Sequence, residues 1–143
     1  MNLPVQYVLS EGSLHLPAVV QDQSITVLRL AGLCATLVVT RDWQVTADQM
    51  DAFLQQQLQK VKRKMKKFSA QLPEESTLGP LPAQQVAMRF ENQGVVVEQQ
   101  LLVAWAQDHL LALTFSTAGQ FTAQQRLAWQ AIRQAFIPGM AEV

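Results

Sequence analysis

Three runs of strand-forming residues joined by very short turns constrain this chain more than any other feature. Val86, Met88 and Phe90 alternate with Ala87, Arg89 and Glu91. Residues 95–106 and 110–117 follow, set apart only by Asn92-Gln93-Gly94 and by Gln107-Asp108. Alternation of this kind marks a strand with one buried face, and links this short join antiparallel neighbours. The middle run adds a condition. It places Gln99, Leu101, Val103 and Trp105 on one face and Gln100, Leu102 and Ala104 on the other. Both faces turn apolar towards its end, so each calls for a cover: a helix, a second subunit or a ligand.

The covers are legible too. Thr46 with Gln49 forms a capping box, followed by Met50, Phe53, Leu54, Leu58, Val61, Met65 and Phe68 at helical spacing. Thr122 with Gln125 opens a second helix whose Ala128, Trp129, Ile132, Ala135 and Phe136 share a face, stopped by Pro138. Upstream, residues 13–16 form a short strand ending at Pro17. Residues 24–30 and 34–40 are strands rich in Ile, Val, Leu and Thr, joined by the hairpin Ala31-Gly32-Leu33. Residues 69–82, with Pro73, Gly79, Pro80 and Pro82, are expected to be irregular. The expected architecture is α+β, a mainly antiparallel sheet with two packed helices. It forms a single domain over residues 1–143, long enough to bury a real core.

Composition narrows the function classes. Lys and Arg together equal Asp and Glu, 11 each, which removes the basic surplus that nucleic-acid binding needs. Only 15% of residues are charged and 49% are apolar, so the chain has either a generous core or an apolar face kept for a partner. No run approaches the length of a bilayer span, and Met1-Asn2-Leu3-Pro4 lacks the basic and apolar regions of a secretory leader. Leu30 to Cys34 resembles a lipoprotein site only superficially, since Arg29 interrupts the apolar run before it. The lone Cys34 cannot form an intrachain disulfide, which favours a reducing, cytoplasmic setting.

Catalytic and metal-binding patterns do not emerge. His15 and His109 lack companions at metal-ligand spacing and read as surface or turn histidines. Cys34, in an apolar strand, reads as a buried structural thiol. Asp22 and Asp42 sit beside strands, where Asp commonly serves turns. Lys60, Lys62, Arg63, Lys64, Lys66 and Lys67 crowd the end of the first helix, where cations favour the dipole and face solvent. No enzyme activity, metal or cofactor is expected. Two polar features stand out against this background. Gln57 lies on an apolar helix flank between Phe53 and Val61, and Thr36, Val38 and Thr40 share one strand face of methyls and hydroxyls.

Leu14-His15-Leu16-Pro17, then Gln21-Asp22-Gln23-Ser24-Ile25, then Val39-Thr40-Arg41-Asp42, resemble the opening of the Eag proteins. These are effector-associated chaperones of the bacterial type VI secretion system, with a DcrB-like (Mog1p/PsbP-like) fold. The helix with Gln57-Leu58, the strand with Gln100-Leu101 and the C-terminal helix with Trp129 fit the same pattern, so the resemblance covers nearly the whole chain. It implies a non-enzymatic cytoplasmic chaperone and adaptor, a homodimer with a concave apolar groove. Such a protein shields the N-terminal transmembrane helices of secreted effectors, Rhs-type proteins among them, and helps load them on the secretion spike. Alternation and resemblance together give a candidate groove of Ile25, Val27, Thr36, Val38, Thr40, Gln57, Met65 and Gln100, and they coincide at Thr36, Val38 and Thr40. The alternative is a binding module of the same fold for another protein or a lipid-like ligand.

Overall fold

The computed structural model describes residues 5–139; the expectation for Met1 to Pro4 lies outside this range. Strands β1 (Val5–Leu9) and β2 (Gly12–Leu16) form a separate two-stranded hairpin. The main sheet comprises β3 (Thr26–Leu30), β4 (Ala35–Asp42), β5 (Lys66–Ala70), β6 (Glu74–Leu78), β7 (Leu81–Asn92), β8 (Val95–Trp105) and β9 (Leu110–Ala118). Its seven strands run in the order β3-β4-β9-β8-β7-β5, with β6 also on β7, and every pairing is antiparallel. Two helices complete the fold, α1 (Met50–Lys64) and α2 (Ala123–Gln134). The α+β class and the meander β7-β8-β9 are as the sequence leads one to expect.

Strict alternation along β8 and β9 sends side chains to two cores. Leu101, Val103, Leu110 and Ala112 join Val86, Met88, Phe90, Leu54 and Leu58 under α1. Leu102, Ala104, Leu111, Leu113 and Phe115 join Ala35, Leu37 and Trp129 under α2. The sheet is thus a middle layer between the helices. Both capping boxes form at their expected residues. Gln125 is buried and fully used: its Nε2 donates to the Leu33 carbonyl and to Thr117 Oγ1, and its Oε1 accepts from Thr122 N–H. A buried amide satisfied in this way costs little and ties α2 to the turn between β3 and β4.

Three expectations need correction. The first helix stops at Lys64, and Phe68 belongs to β5, from which it reaches the α1 core. Residues 69–82 are mostly strand. At twelve residues, β7 is long enough to offer its outer edge to β5 and β6 in succession, and that tertiary pairing overrides the local prolines. Cys34 is exposed, in the left-handed region at φ +52° where the turn re-enters β4, so it is not a core thiol.

Gly79 joins β6 to β7 at φ +56°, and its N–H donates to the Arg133 carbonyl at 2.7 Å. A Cβ there would lie 2.1 Å from the Phe136 carbonyl oxygen. Gly79→Ala should therefore destabilise the protein by at least about 2 kcal/mol, from left-handed backbone cost plus loss of the α2 docking contact. Urea denaturation would measure this, and an unchanged midpoint would show that α2 is not held there.

Candidate functional site

On the α2 side of the sheet the covered area reaches β4, but on the α1 side it does not. Strand register places Val27 opposite Val38, Val38 opposite Thr114, Thr36 opposite Ser116 and Thr40 opposite Ala112. Ala112 belongs to the α1 core, so Thr36, Val38, Thr40, Thr114 and Ser116 share its face. They are half-buried, at the margin of α1. At the sheet edge Val27 is 64% exposed, and Ile25, one residue before β3, is 67% exposed. The result is a floor of methyls and hydroxyls with an apolar lip at β3. Gln57 is half-buried on α1, and Met65, just past the helix end, packs on the α1 core. At one end the floor opens into a recess of about 430 Å³ lined by Arg29, Thr36, Val97 and Ser116 among others.

The eighth expected member is elsewhere. Gln100 lies opposite Phe115 and Ala87 in the register, on the α2 side. A side-chain period of two puts its neighbour Gln99 on the α1 side instead, opposite Ser116 and Met88. Cross-strand order therefore runs Thr36, Ser116, Gln99, Met88. The Gln99 amide donates only to the Met88 sulfur, at 3.5 Å, a weak acceptor. Alternation alone could have signalled this, since Gln99 shares a face with Leu101 and Val103.

A polar cluster fixes the lip. Asp22 Oδ1 accepts from the Ser24 N–H and hydroxyl, and Oδ2 accepts from Tyr7 Oη. Arg41 Nε lies 3.7 Å from Asp22 Oδ2, and its Nη1 donates to the Ser24 carbonyl and to Thr26 Oγ1. Trp43 Nε1 donates to the Asp22 carbonyl, and its ring stacks on His109 with centroids 4.0 Å apart. The two segments that carry the family resemblance, around Asp22 and Arg41, thus meet directly. Asp42 serves a turn, accepting from Gln44 and Val45 N–H. Residues 60, 62, 63, 64, 66 and 67, the basic run, are exposed, with Lys67 paired to Glu91. Among the described residues no group of three potential metal ligands occurs, and no helix is long and apolar enough to cross a membrane.

Burial disfavours the Asp22 charge, but the hydrogen bonds from Ser24 and Tyr7 and the Arg41 guanidinium outweigh it and hold the carboxyl at about 2. Because the folded value lies below the unfolded one, this stabilisation is complete above about pH 4 and is lost as pH falls towards 2. Asp22→Asn should remove on the order of 1–2 kcal/mol at neutral pH and flatten the stability profile between about pH 4 and 2. Denaturation midpoints across that range would check it. A mutant profile parallel to the wild type would exclude Asp22 as the source.

A family model described as DcrB matches residues 11–135. PA94 from Pseudomonas aeruginosa, a protein of unknown function and candidate regulator, has a crystal structure similar to this fold. The TM-score is 0.76 at 19% identity, over 98% of this chain and 100% of that one. LpqN of Mycobacterium tuberculosis, involved in cell envelope biogenesis, is similar at a TM-score of 0.50 and 18% identity, over 70% of this chain and 60% of its own. No curated protein matches the chain.

Proposed function

The chain belongs to the DcrB family, and we propose that it acts as a chaperone and adaptor for a type VI secretion effector. On this reading it shields the effector's N-terminal transmembrane helices in the cytoplasm, assists loading on the secretion spike, and performs no catalysis. The observation that carries the reading is the half-buried α1-side floor, where Val27, Thr36, Val38, Thr40, Thr114 and Ser116 lie together with Gln99 beside Ser116.

The chemistry suits a transmembrane helix better than an ordinary soluble partner. Such a helix in water gains roughly 25 cal/mol for each Å² of apolar surface covered. Its contact faces are rich in Gly, Ala and Ser, which leave backbone carbonyls accessible. Threonine and serine hydroxyls and the amides of Gln57 and Gln99 can meet those carbonyls without introducing charge. Strands lie about 4.8 Å apart, so β3, β4 and β9 span about 10 Å, the width of one helix. One protomer covers one helix, and an effector with a pair of helices requires a homodimer.

Two measurements test this reading. Light scattering at micromolar concentration should give the mass of a dimer, alone or once a partner segment is bound; a monomer under both conditions would count against it. Co-expression with an effector's apolar N-terminal segment should yield a soluble complex. Val38→Asp should abolish that complex, because it buries an unpaired carboxylate. Gln57→Ala and Gln99→Ala should each weaken it by roughly threefold to tenfold, the worth of one hydrogen bond. Gln100→Ala, across the sheet, should leave it unchanged. A variant with unaltered circular dichroism and melting in which Val38→Asp still solubilises the segment would sink the groove assignment.

A further inference from the structure

The opposite, α2-covered face holds a cleft that sets amide and guanidinium groups beside aromatic rings. It measures about 190 Å³ and is lined by Gln100, Phe115, Phe121, Arg126, Trp129 and Arg133 among others. Pockets for drug-sized ligands run about 300–1,000 Å³, so this one has room for a single amino-acid residue. Phe115 stacks on both Phe121 and Trp129, with centroids 5.6 and 5.3 Å apart. Arg133 lies over the Trp129 ring, and its Nη1 is tied down by Ser76 Oγ and the Thr77 carbonyl.

Two residues lining this cleft each bury one side-chain polar atom without a hydrogen-bond partner among the described residues: Gln100 Oε1 and Arg133 Nε. Leaving such groups unpaired is costly, and here one from each of two packed layers lines the same cleft. Arg126, exposed two turns before Arg133 on α2, has no carboxylate within ion-pair distance among the described residues. The needs of these groups are complementary. An arginine only donates, whereas a glutamine amide both donates and accepts. Phosphate or another bare anion would meet the arginines but offer nothing to an acceptor oxygen. A peptide group offers both N–H and C=O, and a carboxylate beside it supplies the charge.

We propose that this cleft binds an acidic residue of an extended polypeptide. Its carboxylate would sit between Arg126 and Arg133, its peptide group on the Gln100 amide, and its stem on the aromatic floor. The site lies across the sheet from the apolar groove and does not depend on what occupies that groove.

The test is an NMR titration of the full chain, following the Trp129 indole N–H. Acetyl-Ala-Glu-Ala-amide should shift this resonance saturably, with a dissociation constant on the order of 1 mM. Its Ala-Gln-Ala counterpart should bind at least about tenfold more weakly, as should the glutamate peptide to Arg126→Gln, which alters only an exposed helix position. Gln100→Leu, similar in shape but lacking the amide, should weaken binding by a smaller factor. No shift at about 10 mM peptide, which is ten times the expected constant, would overturn the proposal. Equal shifts from the glutamine peptide or from inorganic phosphate would overturn it as well.

Discussion

Everything in this molecule follows from a mismatch between a wide sheet and two short helices. β8 and β9 are apolar on both faces, so the sheet cannot leave either face to water. Yet a helix is about 10 Å across, room for two or three strands. α1 has fifteen residues and settles over β7, β8 and the start of β9. α2 has twelve and settles over the opposite face, where the turn before β4 and the loop at Phe121 extend the cover. What is left is not random. On the α2 side β4 presents Ala35 and Leu37 to the core; on the α1 side the same strand presents Thr36, Val38 and Thr40 to a half-buried margin beyond the α1 core.

This margin keeps its shape because polar contacts hold its rim. β3 is an edge strand with exposed Val27 and Leu28, the kind of edge that pairs promiscuously unless managed. Here the segment leading into it is bent by Asp22 capping Ser24 and clamped by Arg41 from β4. Tyr7 ties the β1-β2 hairpin to the same carboxylate, and Trp43 and His109 extend the cluster to the turn between β8 and β9. An ion pair on an open surface contributes little. This one gains from being part of a network in which each member fixes the geometry of the next.

The sequence spoke most clearly where local chemistry and tertiary structure agree. The capping boxes at Thr46 and Thr122, the turns at Gly94 and Asp108 and the alternation of Val86, Met88 and Phe90 depend on neighbours a few residues away. It misled where a distant partner decided the outcome. β5 and β6 exist because β7 is long enough to template them, and no property of Pro73 or Gly79 announces that. Phe68 continues a helical spacing by coincidence of period, since a residue leaving the helix as a strand still reaches the same core. Cys34 looked apolar by its neighbours, but the turn needed a left-handed residue at that place. Thr36, Val38 and Thr40 share one face, as alternation along β4 alone leads one to expect. For Gln100 the alternation points the other way, to the face of Leu102 and Ala104, and only the family resemblance puts it in the groove.

That one-residue error has a physical meaning. Gln99 and Gln100 are adjacent, chemically identical, and directed to opposite faces by the pleat. Gln99 lies on the α1 side beside Ser116, its amide held only by a sulfur. Gln100 lies under α2 with a buried oxygen unpaired, in a cleft shared with Arg126 and Arg133. A register slip of one residue would exchange the two and ruin both environments. The same slip would send Leu101 and Val103 into the α2 core and Leu102 and Ala104 into the α1 core. The paired glutamines are thus held in place by four apolar residues further along their own strand, so changes in that core would reach both faces at once.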